Sequence, residues 1–288
     1  MHFIFLEQKA FVNKHNTFIS TMMSKLLPSS MLIPEHDLAS TVLHGSHSTV
    51  VLLAVKCLKR PRSCKERRLI AGRLAVLEAL RHPHIVRYYT NNVMSEDKEI
   101  SLVMEAWGVS VASLISNKSH CGTEHIFNMS AQVLRGLIGL HSAGLVHGDI
   151  KPANIVLCAG VYKLCDIDEA GQGSALYMSA VRARRFPQTS PEDTFSDTYA
   201  LGMCALEVMT GRQPYYEFEN QIVVFAKVCE GQMPMTWTTQ ARASYDSASD
   251  CLISSLLDSD VEMGQSVIRA QPSELLALVV LLRDKNNL

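Results

Sequence analysis

The stretch His147-Gly148-Asp149-Ile150-Lys151-Pro152-Ala153-Asn154 constrains this chain more than any other. It places a carboxylate, an ammonium and a carboxamide within six positions. Pro152 has no N–H to give and disfavours helix at the residue before it, so the segment is expected to be a loop. Leu145-Val146 and Ile155-Val156-Leu157 flank it, and a polar loop held between two apolar anchors is a good place for chemistry. Twelve residues past Asn154 stands a second acidic site, Asp166-Ile167-Asp168, reached through the strand-like Val161-Tyr162-Lys163-Leu164.

These residue types suit phosphoryl transfer. A hydroxyl nucleophile needs a carboxylate to orient it and accept its proton, a part Asp149 can take. Lys151 can offset charge on the transferred phosphate. Magnesium binds hard oxygen ligands, one or two from protein and the rest from phosphate and water, and Asn154 and Asp166 are such ligands. Residue by residue, H-G-D-I-K-P-A-N followed by K-L-C-D-I-D resembles the catalytic and magnesium loops of eukaryotic protein kinases. The resemblance implies ATP and Mg2+ as cofactors, with Asp149 and Lys151 catalytic and Asn154 and Asp166 on the metal.

Composition sets the outer bounds. A chain of 288 residues, 47% of them apolar, fits one large domain or two lobes around a sizeable core. A net charge of −1 names no partner. Eight cysteines carry no C-x-x-C pair, which suits reduced thiols in the cytosol or nucleus. No apolar run reaches membrane-spanning length, and Phe3–Leu6, followed at once by Glu7 and Lys9, is a poor signal peptide.

Residues 1–36 read as an N-terminal extension, either a short helix around Leu6 to Leu27 or a partly ordered tail. Leu43 to Val50 stands where a kinase carries its glycine-rich loop; Gly45 and Val50 remain of that pattern, and Leu43 and Ser48 replace two glycines. Leu53-Ala54-Val55-Lys56 is similar to the third kinase strand, with Ala54 on the nucleotide and Lys56 at its α and β phosphates. Only six positions separate Val50 from Lys56, so a hairpin is shortened or absent. Ser63 to Leu80 reads as a helix with apolar residues at 69, 70, 74, 77 and 80. Its basic residues, with Lys59, Arg60 and Arg62 before them, are read as a solvated face, and no nucleic acid is expected. His82-Pro83-His84-Ile85-Val86-Arg87-Tyr88-Tyr89 follows, as in kinases. Nine positions before His82, where the family has a glutamate that pairs with the strand lysine, stands Arg73. A cation there is expected to repel Lys56, and Arg73→Glu to raise activity or nucleotide affinity. Ile100 to Gly108 matches the hinge, with Glu105 and Trp107 at the adenine and Met104 as gatekeeper or core.

Glu124 to Ser142 is expected to form a long helix closed at Gly144. Gly173 to Ser179 resembles the segment before the family's P-E, here Ala180-Val181. Gly148 replaces the arginine that would read a phosphate, so activation-loop phosphorylation is unsupported. Asp197-Thr198-Tyr199-Ala200-Leu201-Gly202 is similar to a family helix motif whose aspartate braces the catalytic loop. In the family the glutamate replaced by Val181 pairs with a late arginine; the resemblance aligns Gly264 with that arginine, and Arg269 is the rival candidate for it. Losing one half of such a pair would cost about 3–5 kcal/mol, whereas losing both can be nearly neutral. Glu274 to Leu282 is read as a last apolar helix.

The resemblance implies an α+β, two-lobed protein-kinase-like fold over residues 37–282, with a shortened β-rich N-lobe at 37–106, a larger, mostly helical C-lobe at 107–282, and a tail at 283–288. The function it implies is serine/threonine phosphotransfer to a protein substrate. The alternative is a pseudokinase, weak or inactive, that binds regulatory protein partners. The expected location is cytoplasmic, with the nucleus as the other option.

Overall fold

The structure, a computed structural model, describes residues 53–58, 63–93, 100–105, 108–118, 122–167, 173–188, 193–258, 260–263 and 266–286. The N-terminal extension and Gly45, Val50, Trp107, Asp168 and Gly264 lie outside these. Contacts divide the chain into two compact units, Met1–Ala71 with Arg87–Ala106, and Gly72–Val86 with Trp107–Leu288.

In the smaller unit β1 (Leu53–Leu58) is followed by the start of helix α1 (Cys64–Ala79), then β2 (Tyr88–Val93) and β3 (Ile100–Glu105). The three strands make one antiparallel sheet in the order β1-β3-β2, with Lys56 opposite Leu102 and Ala54 opposite Met104. Alternation along β3 sends Leu102 and Met104 to the same face, and both are fully buried. Met104 is therefore core. Ser63 caps α1 by accepting the Glu66 N–H at 3.1 Å. The inward stripe of α1 is narrower than its apolar residues suggest: Leu74 and Leu77 are buried, but Leu69 is 67% exposed. Ile70, Leu74 and Leu77 share the i, i+4, i+7 face, and Leu69 sits a hundred degrees off it.

The larger unit continues with β4 (Val109–Ser110), α2 (Val111–Ser116) and α3 (Thr123–Ser142). Helix α3 buries a full stripe from Ile126 to Leu140. It stops in a Schellman turn: the Gly144 N–H donates to the His141 carbonyl and the Leu145 N–H to that of Leu140. Gly144 takes φ 74°, the left-handed value that turn needs. The chain then enters the catalytic stretch, whose end is a 3-10 turn at Pro152–Asn154. Strands β5 (Ile155–Cys158) and β6 (Val161–Leu164) follow, in a sheet ordered β4-β5-β6. The His84–Val86 segment lies beside β6, with Val86 N–H donating to the Leu164 carbonyl and Leu164 N–H to that of His84.

A short helix α4 (Ala180–Arg185) leads to α5 (Asp193–Thr210), buried over most of its length. Then come α6 (Gln221–Cys229), α7 (Thr239–Arg242), α8 (Ser247–Leu257), the hairpin β7 (Asp260–Met263) and β8 (Ser266–Arg269), and α9 (Pro272–Asn286). A Cβ on Gly202 would come within 3.0 Å of the Leu256 Cβ, so this glycine lets α5 and α8 approach closely. Helix α3 packs against both α5 and α9, and α8 packs against α5 and α9. Helix α9 is longer than expected and less apolar in use: Leu275 and Val279 are buried, while Val280 and Leu281 are exposed. Among the described residues no helix is long and apolar enough to cross a membrane.

Candidate active site

The catalytic stretch is braced first from α5. The Asp197 carboxylate accepts the His147 N–H at 2.9 Å and the Gly148 N–H at 2.8 Å. It also accepts from His141 Nε2 at 2.9 Å. Burial alone would raise this carboxyl's pKa, but the donor and charge of His141, with His147 and the Gly148 N–H, hold it below the usual carboxylate range. Gly148 sits at φ 79°, so the braced turn is one that a side chain would strain.

The second brace is His147, which is fully buried. Its Nε2 lies 3.0 Å from the Cys165 carbonyl, and its Nδ1 accepts the Asp149 N–H at 3.3 Å. Those partners assign the proton to Nε2. Burial lowers the ring's pKa, and the nearby Arg73 pushes the same way, against Asp197 and Asp149. The imidazole thus ties the catalytic stretch to the chain just before Asp166 as a neutral group.

On this frame sits Asp149. Its Oδ2 accepts from Lys151 Nζ at 2.6 Å and Asn154 Nδ2 at 3.2 Å. Its Oδ1 accepts from the Ser174 N–H and the Ser174 hydroxyl, each at 3.0 Å. Lys151 Nζ also reaches the Ser174 hydroxyl at 3.3 Å. A small cleft opens here, lined by Gly148, Asp149, Gly173, Ser174 and, deeper, Arg182 and Asp193. Asn154 Nδ2 further donates to the Asp149 carbonyl at 2.9 Å, which leaves its Oδ1 as an acceptor. Asp166, half-buried, takes φ 63°, in the left-handed region that glycine favours and that aspartate enters more readily than most residues.

Arg73 is engaged with two backbone carbonyls. Its Nε donates to the Ile167 carbonyl at 2.5 Å and its Nη2 donates to the Val146 carbonyl. The expectation built on its charge alone did not include these acceptors.

In the wall of the same cleft, the region expected to have lost an ion pair has a different one. Val181 is buried as an apolar residue. Next to it, Arg182 Nε lies 3.5 Å from Asp193, which also accepts from Arg185 Nη2 at 2.7 Å. Asp260 accepts from the Ser179 and Ser196 hydroxyls, both at 2.5 Å. Tyr177 O–H donates to Glu207 at 2.7 Å.

Of the residues singled out in the sequence, the larger unit brings together Asp149, Lys151 and Asn154, with Asp166 following β6. The smaller unit holds Ala54 and Lys56 on β1 and Glu105 at the end of β3. The Glu105 N–H donates to the Arg87 carbonyl at 2.8 Å, and its carboxylate accepts from Arg87 N–H at 3.3 Å. Gly45, Val50 and Trp107 fall outside the described residues. Sequence reasoning gave no part to Ser174 or His147. The hydroxyl at the second position of Gly173-Ser174-Ala175-Leu176-Tyr177-Met178-Ser179 was the available signal for the first.

The family model described as the protein kinase domain matches residues 38–270. Among curated proteins, the cytokinesis protein sepH of Aspergillus niger is 29% identical over 195 residues, covering 65% of this chain and 14% of that one. Mitogen-activated protein kinase kinase kinase 5 of Arabidopsis thaliana is 29% identical over 226 residues, covering 71% of this chain and 31% of its own. Mitogen-activated protein kinase kinase kinase 4 of Homo sapiens is 28% identical over 226 residues, covering 72% of this chain and 14% of its own. The chain thus spans between 14% and 31% of the length of these three relatives.

Proposed function

The chain belongs to the protein kinase domain family, and from that premise we propose that it transfers the γ-phosphoryl group of ATP to a serine or threonine hydroxyl of a protein. The observation that carries this reading is the Asp149 carboxylate held 2.6 Å from Lys151 Nζ on a loop braced by Asp197. Asp149 orients the incoming hydroxyl and takes its proton as the new oxygen–phosphorus bond forms and the bond to the departing ADP breaks. Lys151 offsets charge on the moving phosphoryl group. Ser174 keeps the carboxylate in one rotamer and positions Lys151 beside it. Lys56 binds the α and β phosphates, Glu105 lies at the adenine, and Ala54, Gly45, Val50 and Trp107 complete the nucleotide contacts by resemblance.

Asn154 Oδ1 and the Asp166 carboxylate fit a magnesium site, because both are hard oxygens and the Asn154 amide is oriented by its two bonds to Asp149. Magnesium bound there would neutralise charge on the β and γ phosphates. The residues' own part is to hold that position and to keep the Asp149 carboxylate aimed. The partner is a protein substrate, and the six free thiols among the described residues suit a cytosolic or nuclear setting.

One observation favours a second reading, a kinase fold that binds proteins with weak or no transfer. The four acceptor positions of the Asp149 carboxylate are all taken, by Lys151, Asn154 and both donors of Ser174. A substrate hydroxyl must displace one of them. The test is a phosphotransfer assay with labelled ATP and a panel of protein hydroxyl substrates, run beside a thermal melt with ATP and magnesium. Asp149→Ala is expected to cut transfer by about 10²–10⁴-fold while the magnesium-dependent melt shift remains. A shift that Asp166→Ala abolishes, without transfer to any substrate, selects the second reading. No shift at millimolar ATP sinks both nucleotide roles.

A further inference from the structure

We propose that Arg73 is a positioning residue of the phosphoryl-transfer site, clamping the Asp166 loop to the entrance of the catalytic stretch; this rests on the function read above. The fork of its guanidinium spans two carbonyls far apart in sequence, Ile167 and Val146. Ile167 is fully buried and follows the proposed metal ligand Asp166; Val146 precedes the buried His147. The clamp therefore joins the two segments that carry the metal and base groups. His147 makes the parallel link, ring to Cys165 carbonyl, one turn of chain away.

The chemistry of the partners fixes the sign. A carbonyl oxygen accepts and never donates, so only a donor at position 73 can hold both. Hydrogen bonds from a charged donor are the stronger kind, and the rigid fork of arginine loses less freedom in making two. Asp166 at φ 63° is a conformation that surroundings must impose. Pinning the next residue's carbonyl is one such constraint. A glutamate at 73, the residue the resemblance would restore, would set a carboxylate against two carbonyl oxygens. The expectation that Arg73→Glu raises activity is thereby reversed.

The test uses the full chain and the variants Arg73→Lys, Arg73→Met and Arg73→Glu. Affinity for ATP is measured with and without magnesium, beside hydrogen exchange of the ligand-free proteins over residues 146–148 and 165–167. Arg73→Met and Arg73→Glu are expected to weaken the magnesium-dependent affinity about tenfold or more, with ATP alone unchanged. Arg73→Lys, which keeps the charge but not the fork, is expected to fall between the parent and Arg73→Met, and exchange near Ile167 and Val146 to rise in Arg73→Met. Unchanged or tighter magnesium-ATP binding in Arg73→Glu and Arg73→Met overturns the assignment. So does a loss equal with and without magnesium, which marks a merely structural role. If Arg73→Glu does not fold, Arg73→Met carries the test, since it removes the donors without adding repulsion. If the parent chain binds no magnesium-ATP, the function reading fails by itself. The exchange comparison then still decides whether the clamp exists, and unchanged exchange ends it.

Discussion

Asp197 and Asp260 are buried alike, 2% exposed each, and the chain satisfies them by different means. Asp197 accepts from two backbone N–H groups of the catalytic stretch and from His141. Asp260 accepts from two serine hydroxyls through one oxygen, and its Oδ1 has no partner among the described residues. The partners differ in what else they can do. A backbone N–H fixed in a braced turn has no second acceptor within reach, whereas a hydroxyl can rotate to another. The first aspartate is therefore the organiser of a loop, and the second closes a polar cluster that other side chains could close. Beside Asp260, the charges sit on Arg182, Arg185 and Asp193, close in the chain to the position where the family's glutamate is replaced by Val181. The Asp149 side of the cleft keeps a fully satisfied frame, and its Arg182–Asp193 side is assembled from locally available groups.

The largest effect expected from this contrast is that of Asp197→Ala. Each buried N–H left without an acceptor costs about 1–3 kcal/mol, and two are stranded, so stability should fall by about 4 kcal/mol. Phosphotransfer should go with it. Urea unfolding measures the first, and a loss below about 1 kcal/mol would show that the loop is not held from α5.

His147 sharpens the same side through pH. Its folded pKa lies below the ordinary 6.5, with burial the main cause. As pH falls through the unfolded value toward the folded one, the unfolded chain binds a proton that the native ring refuses. Stability therefore falls with acidification in that window. Asp197, also lowered, adds loss in the same direction further down, below the ordinary carboxylate value. His147→Asn should flatten the decline between about pH 7 and pH 5 in unfolding experiments. A decline as steep as the parent's would assign the effect to other groups, His82 and His84 first among them, since burial lowers both.

The smallest effect belongs to the other aspartate. Asp260→Asn keeps one oxygen for the serine hydroxyls and removes a carboxylate oxygen that has no described partner, so it should change stability by less than about 1 kcal/mol. A loss comparable to that of Asp197→Ala would erase the distinction drawn between them.

Much of this was legible without coordinates. Pro152 and the apolar runs around it mark a loop, and the structure has one, ending in a 3-10 turn. The periodicity of α3 and the glycine after it gave the helix to within a residue. The α+β kinase-like fold followed from the motifs. Asp197 was read as a brace only through resemblance. Leu69, counted among the apolar positions of its helix, is exposed because Ile70, Leu74 and Leu77 set the inward face.

What the sequence determined by itself is local. Asp149, Lys151 and Asn154 meet because five peptide bonds leave them little choice, and their chemistry can be read as a set. What only the tertiary structure decided is which distant groups face them. Ser174 reaches Asp149 across 25 positions, and Arg73 reaches Ile167 across 94. The reason is physical: a side chain's identity says what it can donate or accept. Its backbone partners, the carbonyls and N–H groups that every residue carries, leave no mark in the sequence until folding brings one of them within 3 Å.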